Sequence, residues 1–262
     1  MLTDAIANLE FQVDDPNNRL YNAYNLGTWS SVSQVNTFLN RFNHASGYKD
    51  GNTKLAVGNY VTIQDGKYNS VWEIAGFDME HNQYAADGTV YDNGYGICLI
   101  PQTQLTGTAA AWNGNNTVKG GYKASTIHTS VLPAVVSKLE NVLGSHIVNR
   151  NVLLSSSVSG YSDAYTWTTS KATLMSIGQM TGTFAKNSTK YDDGEANYRL
   201  PIFNFKEYKT GSTFWSRGIW GGYGTVWYAW SVFGDGNLTT GLDKGDSPVT
   251  NYFGIRPLIY LR

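Results

Sequence analysis

A run of aromatic residues and glycines between Phe214 and Trp230 constrains the fold of this chain more than any other segment. Its seventeen positions, FWSRGIWGGYGTVWYAW, hold seven aromatic residues, four glycines and a single charge. The glycines argue against a regular helix or strand before about residue 225. Two interpretations stay open. The rings form a recognition surface, since aromatic side chains on glycine-rich loops give large contact areas at low entropic cost, or they fill the core of a loop-rich domain.

Composition and charge exclude several classes of protein. Hydrophobic residues make up 41% of the 262 positions and charged residues only 15%, which is typical of a folded core solubilised by hydroxyl and amide groups, as in strand-rich proteins of virus particles. The net charge of −1 and the lack of any Lys/Arg run argue against nucleic-acid binding. Cys98 is the only cysteine, so a disulfide framework is excluded, and its apolar neighbours predict a buried, inert thiol.

The N-terminal sequence MLTDAIANLE lacks the basic region and the long apolar stretch of a secretory signal. No segment of the sequence is long and apolar enough to cross a membrane. We therefore expect synthesis in a cytosol and, for action outside the cell, release by lysis or by a dedicated apparatus.

Residues 1–55 are predicted to be a small appendage to a larger domain, residues 56–262. LTDAIANLEF predicts one short helix, and SQVNTFLNRF predicts a second, capped by Ser31 or Ser33. The second helix carries an apolar stripe formed by Val35, Phe38, Leu39 and Phe42. Because so small a segment cannot bury both stripes, we expect it to dock on the main domain, on a copy of itself or on a scaffold protein.

From Leu55 onward, β-branched and aromatic residues separated by turn dipeptides predict strands. These strands are LAVGNYVTIQ, DGKYNSVWEIAGFD, YGICLIPQTQL, HIVNRNVLLS, VWYAWSVF and FGIRPLIYL. One clear helix lies in STIHTSVLPAVVSKLENVLG, with a kink or a start near Pro133 and Gly144 as its C-cap. Its apolar stripe comprises Ile127, Val131, Val135, Leu139 and Val142. TSKATLMSIGQMTG predicts a second, shorter helix. The apolar closing segment Leu258–Leu261 is expected to pair with a strand at Val57–Ile63.

Several motifs occur in a fixed order over residues 57–262: GNYV, VWEIAGFD, DNGYGICLIP, LMSIGQMTG, RLPIFNF, FWSRG, VFGDGNL and FGIRPLIYL. Together they resemble a family of phage and Firmicute surface proteins with a domain of unknown function and a C-type-lectin-like fold. They are also similar to the target domains of phage tropism proteins, which end in a comparable Gly-x-Arg-Pro sequence.

The resemblance implies an α+β, C-type-lectin-like domain with mainly antiparallel sheets, two helices, paired terminal strands and long irregular loops. It also implies that the ligand surface lies in the loop around Trp215–Tyr228 and in the turn Asn251–Phe253. The EPN and WND motifs of calcium-dependent lectins are absent, and the nearest match, Trp112-Asn113-Gly114, lies in the wrong half of the chain. Calcium-mediated sugar binding is therefore not implied.

Catalytic and metal sites have few candidates. The formylglycine-generating enzyme fold, which the resemblance touches, needs reactive cysteines that this chain lacks. Carboxylates suited to glycoside hydrolysis sit in sequences that usually serve turns: Asp192, Asp193, Glu195 and Asp235. A second set has oxygen ligands suited to Ca²⁺ but no recognised spacing: Asp78, Glu80, His81, Asp87 and Asp92. We expect no enzymatic activity and no cofactor, with a structural calcium as the alternative.

Alternation in the predicted strand VWYAWSVF separates its rings between two faces. The face with Val226, Tyr228, Trp230 and Val232 is expected to meet the core, which leaves Trp227 as the surface candidate. Trp215 is also expected in the core, whereas the glycine-flanked Trp220 and Tyr223 are expected to be partly exposed. The predicted ligand contacts are Trp220, Tyr223 and Trp227, with Arg217 and Asn251 as polar neighbours.

Two arginines of the C-terminal part have candidate roles. Arg217, in the aromatic run, either stacks on a ring or holds a ligand carboxylate or phosphate, or it orders its loop through a structural ion pair. Arg256, in GIRP, is expected to hydrogen-bond loop carbonyls and to be structural.

These inferences favour a non-enzymatic phage virion protein, either a receptor-binding or host-adhesion protein of the tail or a head fibre. It would bind a host cell-surface saccharide or protein through its aromatic surface. Residues 1–55 would attach it to other virion proteins, and weak single sites favour a homo-oligomer, with a trimer preferred. It would be made in the host cytoplasm and act outside the cell, in the virion. Two alternatives stay open: a structural virion protein whose patch packs on a neighbouring subunit, such as a capsid decoration or tail building block, and a cell-wall glycosidase.

Overall fold

The fold is that of a computed structural model, which describes residues 23–41, 55–79, 81–85, 87–157, 164–182, 199–206, 212–223, 226–232, 238–239 and 248–262. Within these ranges the chain is an α+β protein with mostly antiparallel strand pairs and three α-helices: α1 (Val32–Leu39), α2 (Leu132–Leu143) and α3 (Ile177–Thr181). The strands of the first half are β1 (Asn25–Trp29), β2 (Tyr60–Ile63), β3 (Ser70–Phe77), β4 (Asn82–Tyr84), β5 (Val90–Asp92), β6 (Ile97–Pro101) and β7 (Ala110–Ala111). Those of the second half are β8 (Arg150–Ser157), β9 (Ala164–Ser170), β10 (Ala172–Leu174), β11 (Phe214–Tyr223), β12 (Val226–Val232), β13 (Leu238–Thr239), β14 (Tyr252–Phe253) and β15 (Pro257–Leu261).

Six strands form the central sheet, in the order β1-β2-β3-β6-β15-β10. All neighbouring strands run antiparallel except β1 and β2, which are parallel. Every residue of β6 and β15 is buried. Their sequences, ICLIP and PLIYL, are continuous apolar runs, which is the pattern expected of strands covered on both faces.

Two apolar cores cover the two faces of this sheet. Trp72, Ile74, Leu99 and Ile259 face the larger core, to which α1, α2 and the side chain of Trp215 contribute. The alternate residues of β6 and β15 face the smaller core, which also includes residues of α3, the 3₁₀ helix Pro201–Asn204 and the hairpin strands β11 and β12. The hairpin therefore contributes to both cores and is part of the domain interior over much of its length.

The predicted pairing of Val57–Ile63 with Leu258–Leu261 is wrong. β2 forms a hairpin with β3 across a tight turn in which Asp65 Oδ1 accepts hydrogen bonds from the backbone N–H groups of Lys67 and Tyr68. Strands β3 and β6 then lie between β2 and β15. The local hairpin closes a far shorter loop than the predicted pairing, and β15 instead pairs with β6 and β10.

The predicted main helix is confirmed, including the effect of its proline. A single π-helical turn at Ile127–Val131 leads into α2, and Pro133 lies in the first turn of α2, where proline is well tolerated. Gly144 follows α2 with φ of 58°, a conformation that favours glycine. The stripe is buried as predicted at Val135, Leu139 and Val142.

The second predicted helix is only half correct. Ala172–Leu174, the first part of TSKATLMSIGQMTG, is strand β10 and pairs with β15. The helix begins later, at α3, where Ser176 and Gln179 form a reciprocal capping box. Sheet pairing at the edge overrides the helical preference of the short apolar segment.

The described part of the predicted appendage is built into the main domain. β1 adds a parallel edge strand to the sheet, and α1 buries Val35, Phe38 and Leu39 in the larger core. The rings of Trp29 and Phe38 lie 4.8 Å apart between centroids. Docking on the main domain, one of the three expectations for this segment, therefore holds for residues 23–41. The helix predicted in LTDAIANLEF lies outside the described residues.

Buried charges join the chain end to the smaller core. Lys206 Nζ lies 2.8 Å from Glu73 Oε2, and both side chains are almost completely buried. Arg256 donates from Nε to the Pro101 carbonyl oxygen at 2.8 Å and packs over the rings of Phe203 and Phe214. Burial lowers the pKa of Arg256 to about 10, against the opposing effect of the Glu73 charge. The predicted structural role of Arg256 is confirmed.

Candidate functional site

The hairpin β11–β12 contains the aromatic run, and its base belongs to the core. Phe214, Trp215, Tyr228 and Trp230 are buried. Two indole N–H groups at this base find acceptors: Trp215 Nε1 donates to the Ala110 carbonyl oxygen at 2.8 Å and Trp112 Nε1 donates to the Ser216 carbonyl oxygen at 3.2 Å. The buried Nε1 of Trp230 has no hydrogen-bond partner among the described residues. The expectation that Trp215 is a core ring is confirmed.

The expectation that the glycines prevent a strand before residue 225 is wrong. β11 runs from Phe214 to Tyr223 and pairs with β12, with register irregularities between Trp215 and Gly221. Gly218 lies in this irregular stretch, and a Cβ atom there would come within 3.0 Å of Trp230 Cδ1. The glycine therefore permits a close approach of strand and indole ring rather than a loop.

Both faces of β12 are buried beyond its first residues, so the predicted alternation is only partly correct. Tyr228, Trp230 and Val232 are buried as expected, but Ala229 and Ser231 on the other face are buried too, because the hairpin lies between the two cores. Trp227 is half-buried and packs against the larger core. It is the described ring of β12 that keeps appreciable exposure.

Three segments of the chain meet around Trp227. The backbone N–H of Trp227 donates to Asn116 Oδ1 at 2.9 Å, and the backbone carbonyl oxygen of Trp227 accepts the N–H of Val249 at 3.0 Å. The Asn113 N–H in turn donates to the Val249 carbonyl oxygen at 2.9 Å. These bonds fix the loop after β7 and the segment before β14 against the hairpin.

Among the described residues of this region, strand β14 carries the most exposed large apolar side chain. Tyr252 pairs with Ala111 of β7, yet 72% of its surface is accessible, while Phe253 packs on Trp215 with a centroid separation of 4.7 Å. Asn251 precedes it and is half-buried. We call Asn116, Trp227, Asn251 and Tyr252 the aromatic end of the molecule.

A groove of about 590 Å³ adjoins the aromatic end. It reaches β7 through Ala109 and β14 through Gly254, which directly flank the paired residues Ala110 and Phe253. Among the residues that the structure describes, its lining is uncharged and consists of Thr103, Gln104, Leu105, Thr106, Gly107, Ala109, Ser212 and Gly254. Hydroxyl and amide groups with little charge suit a neutral, hydrogen-bonding ligand.

The predicted contact residues do not all meet at this surface. Trp227 and Asn251 belong to the aromatic end, whereas Arg217 is fully buried and donates from Nη1 to Thr173 Oγ1 at 3.4 Å. Its guanidinium therefore takes the structural role that the sequence left open rather than a surface role. The backbones of Trp220 and Tyr223 lie in β11, but their side chains are outside the described residues.

Tyr252 is not among the ligand contacts predicted from the sequence. Its position in the turn Asn251–Phe253, between Pro248 and Gly254, could have indicated an exposed ring, because no apolar period there predicts a core residue.

The described carboxylates considered for calcium accept backbone N–H groups, within local turns for Asp87 and Asp92 and from a more distant segment for Asp78. Asp87 Oδ1 accepts the Thr89 N–H, Asp92 Oδ1 accepts the Gly94 N–H, and Asp78 Oδ1 accepts the Gly96 N–H. His81 Nδ1 lies 3.8 Å from Asp92 Oδ1. Within the described ranges no three such side chains come together as metal ligands. Glu80 and the carboxylates considered for hydrolysis, Asp192, Asp193, Glu195 and Asp235, lie outside those ranges.

No model of a known protein family matches the chain, and no curated protein or solved structure matches it. The likeness to phage lectin-like domains thus rests on the sequence motifs. Among the residues that the structure covers, no helix combines the length and apolar character needed to cross a membrane.

Proposed function

We propose that this chain is a non-enzymatic phage virion protein with a C-type-lectin-like domain that binds a host cell-surface saccharide or protein at its aromatic end. The observation that carries the proposal is the exposure of Tyr252, 72%, in the same region as half-buried Trp227 and a groove whose described lining is uncharged. Exposed aromatic rings stack on sugar faces or protein side chains.

Rigid support favours recognition at this end. Two backbone–backbone hydrogen bonds and one to the side chain of Asn116 hold the three segments around Trp227, and β14 is paired to β7, so a ligand would meet side chains that are already positioned. Asn116 and Asn251 place amide side chains in the same region as the rings, a combination common in binding surfaces.

Multivalency would strengthen weak single contacts, so we propose a homo-oligomer, with a trimer preferred, on the virion. Residues 1–55 remain the proposed link to other virion proteins. Since β1 and α1 are integral to the sheet and core, that link would have to leave their buried faces undisturbed.

The test compares two single exposed tyrosines. Tyr252→Ala removes the ring at the aromatic end, and Tyr24→Ala removes a ring that is 52% exposed next to β1. Labelled protein is added to a panel of Gram-positive cells and to their purified cell-wall polysaccharides. We expect binding by the native protein and by Tyr24→Ala, and at least a tenfold loss for Tyr252→Ala, as for a central interface aromatic.

Equal binding of Tyr252→Ala and the native protein would contradict the proposed surface. Binding to no cell or polysaccharide, together with failed particle assembly for Tyr252→Ala, would instead show a structural virion protein whose aromatic end packs on a neighbouring subunit.

A further inference from the structure

A second pocket lies away from the aromatic end, between α2 and the strand junction β9–β10. Its volume is about 410 Å³, which is within the usual range of small-ligand sites. Four of its lining residues are apolar: Leu132, Pro133, Val136 and Ala172. The other six are polar or charged: His128, Glu140, Asn149, Thr169, Ser170 and Lys171. We call this cavity the helix pocket.

The charges of the helix pocket cancel. Lys171 Nζ lies 2.5 Å from Glu140 Oε1, and each side chain keeps about a third of its surface exposed, 35% and 34%. The ammonium has three donor positions and the carboxylate several acceptor positions, so both can bond a ligand without separating from each other. A charged ligand would have to compete with this pair, whereas a neutral one would not.

His128 adds an acceptor of defined tautomer. Its Nδ1 lies 3.0 Å from the Lys123 carbonyl oxygen, which can only accept, so Nδ1 carries the proton. Burial, with the nearby charges of Arg217 and Lys123, holds the pKa of His128 below its usual value, against the opposing effect of the hydrogen bond to Lys123. At neutral pH the ring is therefore uncharged and Nε2 is a hydrogen-bond acceptor.

We propose that the helix pocket binds one neutral sugar unit. The apolar face of the sugar would lie on Pro133 and Val136, and its hydroxyl groups would bond Glu140, Lys171 and His128. A pocket that combines apolar side chains with a paired ammonium and carboxylate suits a sugar ring, which has C–H groups on its faces and hydroxyls around its edge. This site is independent of the aromatic end and of the function proposed for it.

The test is an NMR titration of the full chain with N-acetylglucosamine and with glucose, followed at the His128 imidazole and the Leu132, Val136 and Ala172 methyl signals. Glucuronate and glycine serve as charged and zwitterionic comparisons. We expect the neutral sugars to shift these signals and the charged probes to shift them at least tenfold more weakly.

Glu140→Gln should weaken sugar binding by roughly tenfold, since it replaces a charged acceptor by a neutral amide. Lys138→Gln, on the exposed side of the same helix, is the matched control and should bind like the native protein. Lys171→Met provides a second pocket variant if Glu140→Gln melts early. The proposal is overturned if neither neutral sugar shifts the pocket signals, if the charged probes bind as well, or if the folded pocket variants bind like the control.

Discussion

At the scale of single residues, the charges buried beneath the chain end show what the fold depends on. Glu73 and Lys206 come from segments 133 positions apart and form one almost fully buried pair, with Arg256 nearby. Burying two ions is costly, so the pair contributes little net stability, but removing one partner leaves an uncompensated charge. We expect Lys206→Met to lower the free energy of unfolding by about 3–5 kcal/mol.

Chemical denaturation measures this loss, and the double variant Glu73→Leu with Lys206→Met is its control. Replacing both ions by apolar groups should recover most of the stability, because no buried charge is left unpaired. If Lys206→Met alone is as stable as the native protein, the pair is not desolvated in solution.

At the scale of elements, α2 is the best test of the predicted packing. Val135 is 1% exposed on the face toward the sheet, and Ala134 beside it is exposed. Val135→Asp places an unpaired carboxylate in the larger core and should cost more than about 2 kcal/mol, whereas Ala134→Asp should change stability by about 0.5 kcal/mol or less. Thermal melts of the two variants give the comparison; similar melting temperatures would show that the apolar stripe of α2 is not in the core.

Helices and strands with a strong hydrophobic pattern can be predicted from the sequence, whereas the pairing between strands cannot. The stripe of α2 and the apolar runs of β3, β6 and β15 identify these elements from sequence alone. The order of strands depends on which loops close first and on contacts between distant residues, so Leu258–Leu261 was paired with the wrong partner. The glycines of β11 led to a wrong prediction of a loop. Glycine is used both in turns and where a side chain packs closely on a strand backbone, as Trp230 does at Gly218.

In the candidate site, too, local patterns predict some residues, whereas contacts between distant segments cannot be predicted. The two-residue period of a strand predicts that Trp227 is more exposed than Tyr228 and Trp230, but not that the rest of its face is buried. The burial of Arg217 does not follow from the sequence, because a lone charge among aromatic rings fits a surface or an interior role until the neighbouring elements are known. Tyr252 lies in a pair of two short strands, β7 and β14, which no local sequence pattern predicts.

At the scale of the whole molecule, the N-terminal segment decides whether the described elements form one folded domain. The sequence predicted that residues 57–262 fold without it, but α1 and β1 supply Trp29, Val35, Phe38 and Leu39 to the larger core. A variant lacking residues 1–50 should therefore expose that core and lose the native cooperative melt, followed by circular dichroism. A cooperative melt at the native midpoint would instead show that residues 1–50 are an appendage that the main domain does not need in order to fold.

The central claim is that the aromatic end receives the host ligand, and an NMR map of the indole and tyrosine signals tests it most directly. Purified cell-wall polysaccharide from a strain that the protein binds is titrated into the full chain. The ring signals of Trp227 and Tyr252 should shift, while those of the buried Trp72, Trp112 and Trp215 stay unchanged as internal references. Shifts that leave Trp227 and Tyr252 unaffected while the ligand is bound would contradict the account.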